Sequence, residues 1–375
     1  MAPPLEEAAH QERGCHARAA RHLVAAGDYD GAATRFLEAA GEARRVGAAT
    51  EALGFARIAH GLAVQLPTTE ARRSLRVRIL TETARLQWES HGPGADFTLA
   101  GALQTVDQAA ALLRDDDPLS LRADLAALTA AICYDIGDAG HLERAMLELT
   151  RTGRELQAAG DTLGAARLLT EQAAVLARVG EAERAADALA RSRQVFVAQA
   201  DDDPDALLDL GETDHLLARM ALHREADWQA ALDYGWSAEQ SYRKLGRSRE
   251  QARVWETLGR LELRAENTEA AADLLTRAVE AQQRSGDVVG LARSSAALAD
   301  VLATKDRHYE ALAVLGESIE LNLEKGSIQG LAFNRGALEA LRGRLTPQQA
   351  LELSYELRRV EQRLTTAEAT LGPVL

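Results

Sequence analysis

The sequence is poor in aromatic residues, which make up only 4% of its 375 residues. Alanine, leucine, glutamate and arginine are abundant instead. Those four residues favour helices, whereas aromatic and β-branched residues favour strands, so the composition predicts an almost wholly helical protein. With 46% hydrophobic and 27% charged residues, the chain also falls outside the class of intrinsically disordered proteins.

Cysteine is nearly absent, since only Cys15 and Cys133 occur. Two cysteines cannot form a disulfide framework, which excludes the small disulfide-stabilised secreted proteins. The N-terminus lacks the basic region and apolar run of a signal peptide, and no stretch approaches about 18 uninterrupted apolar residues. We therefore expect a soluble, cytoplasmic protein with no membrane partner.

Lysine occurs at three positions among 43 basic residues, a bias that, with the alanine excess, indicates a GC-rich bacterial genome. The formal net charge is −14. Because contacts to phosphates dominate nucleic-acid affinity, this charge argues against a nucleic-acid partner. A basic island at Arg72, Arg73, Arg76 and Arg78 is the opposing feature.

A forty-residue repeat organises residues 246–330. Glycine stands at positions 246, 286 and 326, and small residues recur at fixed offsets from each glycine. They are Ala252, Ala292 and Ala332 six residues later, Ala238, Ala278 and Ser318 eight before, and Ala231, Ala271 and Ala311 fifteen before. Small residues at fixed spacing predict close contacts between paired helices, each pair being stabilised by its neighbours.

The same offsets extend upstream around Gly160 and around Ala200, which takes the glycine position. From Ala200 to Gly246 the spacing is forty-six residues, so we predict an irregular unit near residues 201–228. The organisation predicted is N-terminal helical repeats in residues 1–90, a repeat array in 91–343 and a C-terminal capping helix and tail in 344–375. Helices are predicted near residues 5–26, 30–46, 48–66, 70–90, 97–113 and 119–136, with the C-terminal helix running from 347 to about 369.

A recurring turn gives the resemblance to a family. Gly160, Asp161, Gly164 and Ala166 form one copy, Gly286, Asp287, Gly290 and Ala292 form another, and Gly326, Gly330 and Ala332 form a degenerate third. This pattern resembles tetratricopeptide-like (TPR-like) repeats of the forty-residue kind. The resemblance implies an all-α, right-handed superhelical solenoid of about eight antiparallel helix hairpins, whose first helices line a concave groove.

The N-terminal part, residues 16–28 and 48–67, is similar to the opening of the helical sensor arm of bacterial signal-transduction (LuxR-type, STAND) ATPases. In those proteins the arm is implied to sense a ligand or partner. This chain departs from them, because no Gly-x-x-x-x-Gly-Lys-Ser/Thr phosphate-binding motif occurs. We therefore expect no nucleotide or other cofactor.

Aromatic residues concentrate between positions 228 and 255, where three of the four tryptophans lie. They either fill gaps in the irregular unit or line a groove that binds a partner, as tryptophan and tyrosine often do in binding hot spots. Two nearby arginines are available to acidic groups. The candidate partner-binding residues are Trp228, Trp236, Tyr242, Arg249, Arg253 and Trp255.

Three further patterns have ordinary structural explanations. Asp201, Asp203, Asp205 and Glu212 match the spacing of a calcium loop, but Pro204 intrudes and the required glycine is absent, so helix capping is expected. His10, Cys15, His16 and His22 lack zinc-ligand spacing, and no metal is predicted. His215 and His223, with Asp214 beside the first, could share a helix face.

We expect a protein-interaction scaffold or sensor arm that binds a protein or peptide in bacterial cytoplasmic signalling. The alternative is a regulatory domain that senses a small-molecule effector. Since no nucleophile elbow, zinc-protease motif or dinucleotide fingerprint occurs, we do not expect an enzyme.

Overall fold

A computed structural model describes residues 14–45, 48–65, 69–89, 98–114, 116–222, 228–285, 287–324 and 328–371. Within these ranges the protein has eighteen helices and no strand. The chain divides into two compact units, residues 1–179 and 180–375. None of the described helices is long and apolar enough to span a bilayer.

Unit 1 contains eight helices: α1 (Cys15–Ala25), α2 (Tyr29–Arg45), α3 (Ala49–Gln65), α4 (Glu70–Glu89), α5 (Leu99–Ala110), α6 (Leu119–Ile136), α7 (Ala139–Ala158) and α8 (Thr162–Arg178). The bounds of α2 to α6 agree with the helices predicted from breakers and periodicity to within about three residues. The first predicted helix, residues 5–26, is wrong at its start, because α1 begins at Cys15 after Gly14, whose φ is +79°; residues 5–13 lie outside the described part of the chain. The predicted domain boundary at residue 90 falls in a segment outside the described residues and stays a prediction.

Unit 2 contains ten helices: α9 (Ala182–Val197), α10 (Pro204–Ala221), α11 (Trp228–Lys244), α12 (Ser248–Arg264), α13 (Thr268–Ser285), α14 (Val288–Thr304), α15 (His308–Glu324), α16 (Ile328–Arg344), α17 (Pro347–Glu352) and α18 (Ser354–Leu371). Neighbouring helices pack as hairpins, α12 with α13 and α14 with α15. In addition α10 contacts α12, α12 contacts α14, and α14 contacts α16. The first helices of successive repeats therefore form a layer of their own.

The recurring turn has a direct physical explanation. The Asp161 side chain accepts a hydrogen bond from the Gly164 backbone nitrogen at 2.8 Å, and Asp287 accepts one from the Gly290 nitrogen at 3.1 Å. Each aspartate thereby caps the helix that follows it. A Cβ at position 164 would lie 2.5 Å from an Asp161 oxygen, so glycine at this position avoids a clash with the capping carboxylate.

A second type of turn lies halfway between the repeat glycines. The repeat glycine Gly246 has a left-handed conformation with a φ of +66°. The halfway turn has the same conformation at Glu266 and Asp306, whose φ angles are 62° and 56°. These two residues end α12 and α14, twenty residues after the glycine positions 246 and 286. The unit that begins at Gly246 therefore consists of two helices of similar length, α12 and α13, each preceded by a left-handed turn.

The small residues of the repeat lie in the core with one exception. Buried members are Ala231, Ala238, Ala252, Ala271, Ala278, Ala292, Ala311 and Ser318. Close helix contacts therefore explain the pattern, as predicted. Ala332 is exposed, so the expectation that it lies at a packed contact is wrong. It lies on α16, the last of the first helices, where its side chain lines a cavity instead.

The irregular unit and the C-terminus add two details. Asp203 caps α10 by accepting from the Asp205 nitrogen at 2.9 Å, and Pro204 occupies the first turn, as the capping interpretation predicted. The single C-terminal helix predicted from residue 347 is wrong, because the structure has two. Leu353, only 3% exposed, separates α17 from α18 and contributes to the core of unit 2.

Candidate functional site

Two adjoining cavities open along the layer of first helices in unit 2. We name them the polar cavity, of about 620 Å³, and the apolar cavity, of about 570 Å³. Residues of α10, α12, α14 and α16 supply most of both linings, in agreement with the prediction that first helices line the groove. The two cavities share Leu222, Arg260, Arg293 and Phe333. They therefore form one continuous groove.

The groove follows the forty-residue repeat. Arg253, Arg293 and Phe333 occupy the position seven residues after the repeat glycine in three successive units, and all three line the groove. The position fourteen residues after the glycine is also a lining position, and it holds Arg260, Asp300 and Ala340. Equivalent positions thus face the same space while carrying different chemistry.

In the polar cavity, Asp287 both caps α14 and pairs with arginines of the groove. Its carboxylate lies 3.1 Å from the Arg253 Nε and 3.8 Å from the Arg249 Nε. Burial by itself would raise the pKa of Asp287, but the two arginines and the Gly290 amide outweigh it, and the pKa is lowered. Asp287 therefore stays ionised and holds Arg253 at the wall of the cavity.

Glu256 is a buried carboxylate beneath the groove. It pairs with Arg293 at 2.9 Å and with Arg260 at 3.7 Å, and its side chain is 4% exposed. The Nε atom of Arg293 is also buried, and it has no hydrogen-bond partner in the described part of the chain. The Glu256 carboxylate thus positions two arginines of the groove, Arg260 and Arg293.

His215 and Thr257 form the neutral part of the polar cavity. The His215 Nε2 lies 2.9 Å from the Thr257 Oγ1, and that hydroxyl donates to the Arg253 carbonyl at 3.3 Å. Burial, followed by the positive charges of three nearby arginines, lowers the pKa of His215 to about 3. The imidazole is therefore neutral at physiological pH. Because the hydroxyl proton goes to a carbonyl, the threonine accepts from the imidazole.

The apolar cavity has a floor of leucine, alanine and glycine and an exposed aromatic ring, Phe333. Its charged residues are Arg260, Arg264, Arg293, Arg344 and Asp300. Asp300 pairs with Arg344. Arg264 stacks over the ring of Trp228, with its guanidinium carbon 5.5 Å from the ring centre, and has no acidic partner among the residues described. Even with Glu256 counted, the arginines exceed the carboxylates here by two.

The six candidate residues occupy different environments. Tyr242 and Arg253 line the polar cavity, and Arg249 lies beside them through Asp287. Burial raises the pKa of the Tyr242 phenol, which therefore stays protonated.

The three tryptophans lie outside the lining of both cavities. Trp228 supports Arg264, and the half-buried Trp255 packs in the core beneath Arg277, whose guanidinium carbon is 5.4 Å from its ring centre. Trp236 is 43% exposed. The lining residues missed from sequence include Arg293 and Phe333, which lie forty and eighty residues after Arg253, and Arg260, which lies seven residues after it.

The other patterns do not assemble around the groove. Asp214 is fully buried and pairs with Arg193 at 2.6 Å, whereas its neighbour His215 faces the polar cavity. Cys15, His16 and Glu42 offer ligand atoms within 4.8 Å of one another, on α1 and α2. His16 there already lies 2.8 Å from Glu38. His10 and His223 lie outside the described residues.

Comparison with known proteins gives structural matches alone. No family model matches the chain, and no curated protein matches it. The crystal structure of a Rap protein complexed with competence and sporulation factor covers 90% of this chain and 98% of its own, with 10% identity and a TM-score of 0.58. The apo form of RapI covers 92% of this chain and 99% of its own, with 11% identity and a TM-score of 0.54.

At these identities the similarity concerns the fold, and it confirms the predicted all-α, TPR-like class of helical solenoid. The resemblance to the sensor arm of LuxR-type and STAND ATPases stays a prediction.

Proposed function

We propose that unit 2 is a binding module for an extended peptide, or a peptide-like segment of a protein partner, and that the chain acts as a scaffold or sensor arm in bacterial cytoplasmic signalling. The observation that carries this proposal is the continuity of the polar and apolar cavities along the first helices. With helix axes about 8–10 Å apart, four first helices offer a path of roughly 25–30 Å, which suits about eight extended residues.

The polar cavity supplies the groups that a peptide backbone needs. Arg253 and Tyr242 present N–H and O–H donors, and Glu250 and the unprotonated Nδ1 of His215 present acceptors. The apolar cavity supplies a seat for a side chain beside Phe333. A Rap protein of similar fold forms a complex with competence and sporulation factor, which supports a ligand-binding role for this chain as well.

A catalytic role fits the geometry less well. A hydroxyl nucleophile gives its proton to a base, whereas the Thr257 hydroxyl donates to the Arg253 carbonyl. A general base works best with a pKa near the operating pH, and the pKa of His215 is lowered to about 3. The Nδ1 of His215 is left as an acceptor that faces the cavity.

The second candidate is a sensor of a small-molecule effector. The volume of the apolar cavity, about 570 Å³, favours it because this lies within the range of small-ligand pockets. A small ligand would fill one cavity, whereas a peptide would contact both.

Selection of displayed random peptides against the full chain tests the peptide proposal. Selected peptides should bind in isothermal titration. Both Ala332→Asp, at a position that lines the apolar cavity alone, and Arg253→Gln, at a position that lines the polar cavity alone, should weaken this binding. Tyr309→Asp is the matched control, because Tyr309 is 62% exposed and lies on a second helix, α15. If no selected peptide binds, or if only one cavity matters, the peptide proposal is wrong.

A further inference from the structure

Positive charge is unevenly distributed in a chain whose net charge is −14. The apolar cavity has four arginines against one lining aspartate, and Glu256 beneath it leaves an excess of two positive charges. In the polar cavity four arginines face four carboxylates, so the charges there balance. Because Arg260, Arg293 and Glu256 belong to both counts, the whole groove has six arginines and five carboxylates, an excess of one positive charge. The excess lies where the lining is otherwise apolar.

Two donors in the apolar cavity have no acceptor in the described part of the protein. Arg264 has the Trp228 ring as its neighbour and no carboxylate. The Nε of Arg293 is buried and unpaired, although Glu256 holds the other end of the same guanidinium. The Arg264 side chain is exposed and that of Arg293 is 31% exposed, so an acceptor on a ligand in the cavity can approach both guanidinium groups. Arginine also binds carboxylates through two parallel hydrogen bonds, which makes a carboxylate the preferred acceptor.

Apolar surface lies next to these donors. Phe333 is 38% exposed, and Leu263, Ala297, Ala337 and Leu341 complete the wall around it. A ligand whose carboxylate pairs with Arg264 and Arg293 would therefore also place apolar atoms against the Phe333 ring. Since polar and apolar cavities share Arg293 and Phe333, the same ligand continues into the balanced polar cavity, as a peptide backbone would.

We infer that the groove takes a peptide segment in which an acidic residue stands beside a large apolar residue. The acidic carboxylate pairs with Arg264 and Arg293, and the apolar side chain packs on Phe333. This inference rests on the proposed function, since it specifies the chemistry of the peptide that unit 2 would bind.

The test measures the fluorescence anisotropy of labelled hexapeptides on adding the full chain. Three mixtures are compared. The first combines leucine and phenylalanine with aspartate and glutamate, the second combines the same apolar residues with lysine and arginine, and the third contains serine and glutamine. The first mixture should bind most tightly. Its affinity should fall roughly tenfold in Arg264→Gln, which removes a charge-assisted hydrogen bond. Arg264→Lys keeps the charge and should retain most of the preference, and circular dichroism checks that each variant is folded.

Arg277→Gln is the matched control. Arg277 is also an exposed arginine stacked over a tryptophan, but it lies on α13, outside both cavities, and pairs with Asp273 at 3.7 Å. Affinity for the acidic mixture should change less than about twofold in this variant, as expected of a remote surface substitution. Equal loss in both variants would show that the acidic peptide binds elsewhere and would overturn the inference.

The remaining outcomes separate the two proposals. Tighter binding of the basic or neutral mixture, abolished by Phe333→Asp, would overturn the acidic ligand and leave peptide binding standing. No binding of any mixture would overturn both. A further outcome is that dodecanoate binds while no peptide mixture does, and that Arg264→Gln abolishes its binding. This would also overturn both proposals and would favour the small-ligand alternative, because a fatty acid has a carboxylate and an apolar chain.

Discussion

The Arg293 Nη2 lies 2.9 Å from the Oε2 of Glu256, whose side chain is 4% exposed. A buried carboxylate that positions two groove arginines has both a structural and a functional role. We expect Glu256→Gln to lower the free energy of unfolding by about 1–3 kcal/mol, because a charged hydrogen bond is lost in the interior. Urea unfolding at pH 7 measures this loss. Glu310→Gln removes an exposed pair with Arg307 and should cost less than about 0.5 kcal/mol, and an equal cost in both variants would contradict the assigned role.

Ala292 and Ala332 occupy equivalent positions of the repeat but differ in burial, at 0% and exposed respectively. Ala292→Leu should lower stability by about 1–3 kcal/mol, because the added volume enters a packed helix contact. Ala332→Leu should leave the melting temperature nearly unchanged, since the side chain projects into the apolar cavity. Thermal denaturation followed by circular dichroism compares the two. Equal destabilisation would mean that position 332 is packed as position 292 is.

The left-handed turns at Glu266 and Asp306 strain residues that carry a Cβ. Replacement by glycine removes that strain, which is about 1–2 kcal/mol for an L-residue, while it adds freedom to the unfolded chain. We expect Glu266→Gly to stabilise the protein by up to about 1 kcal/mol. Gly246→Ala makes the opposite change at the other turn and should destabilise it. Denaturant midpoints of the two variants should therefore shift in opposite directions.

His215 makes stability depend on pH. Its pKa is lowered from 6.5 to about 3 in the folded protein, so between these values the unfolded chain binds a proton that the folded chain does not. His215 therefore has little effect on the free energy of unfolding well above pH 6.5, and it lowers that free energy as the pH falls from 6.5 towards 3. At pH 5 the loss should reach up to about 2 kcal/mol relative to pH 7. Urea unfolding of the wild type and His215→Gln at both values isolates this part, and an identical pH response would contradict it.

The repeat was the most predictable part of the fold. Its small residues recur because helices approach closely there, and a residue of fixed size at a fixed offset is visible in one sequence. The break at Leu353 was not predictable, because a leucine within a helical pattern gives no local signal of a turn. Tertiary packing of that side chain decides it.

The candidate site was predicted less well. The concentration of tryptophans favours Trp228, Trp236 and Trp255 as binding residues, yet their spacing does not reveal which helix face meets the groove. Arg253 is a candidate because it lies near these tryptophans, whereas Arg293 and Phe333, forty and eighty residues later, lie outside the aromatic cluster. The forty-residue register relates these three positions to one another, and the structure shows that all three line the groove.

Arg253, Arg293 and Phe333 give the groove a direction. The same place in three consecutive units changes from cationic to aromatic between α12 and α16, so the two ends of the site are chemically distinct. A symmetrical array of identical repeats would accept a ligand in either orientation. Here a ligand and its reversed sequence, although identical in composition, would meet different partners at each end, and the protein would distinguish head from tail.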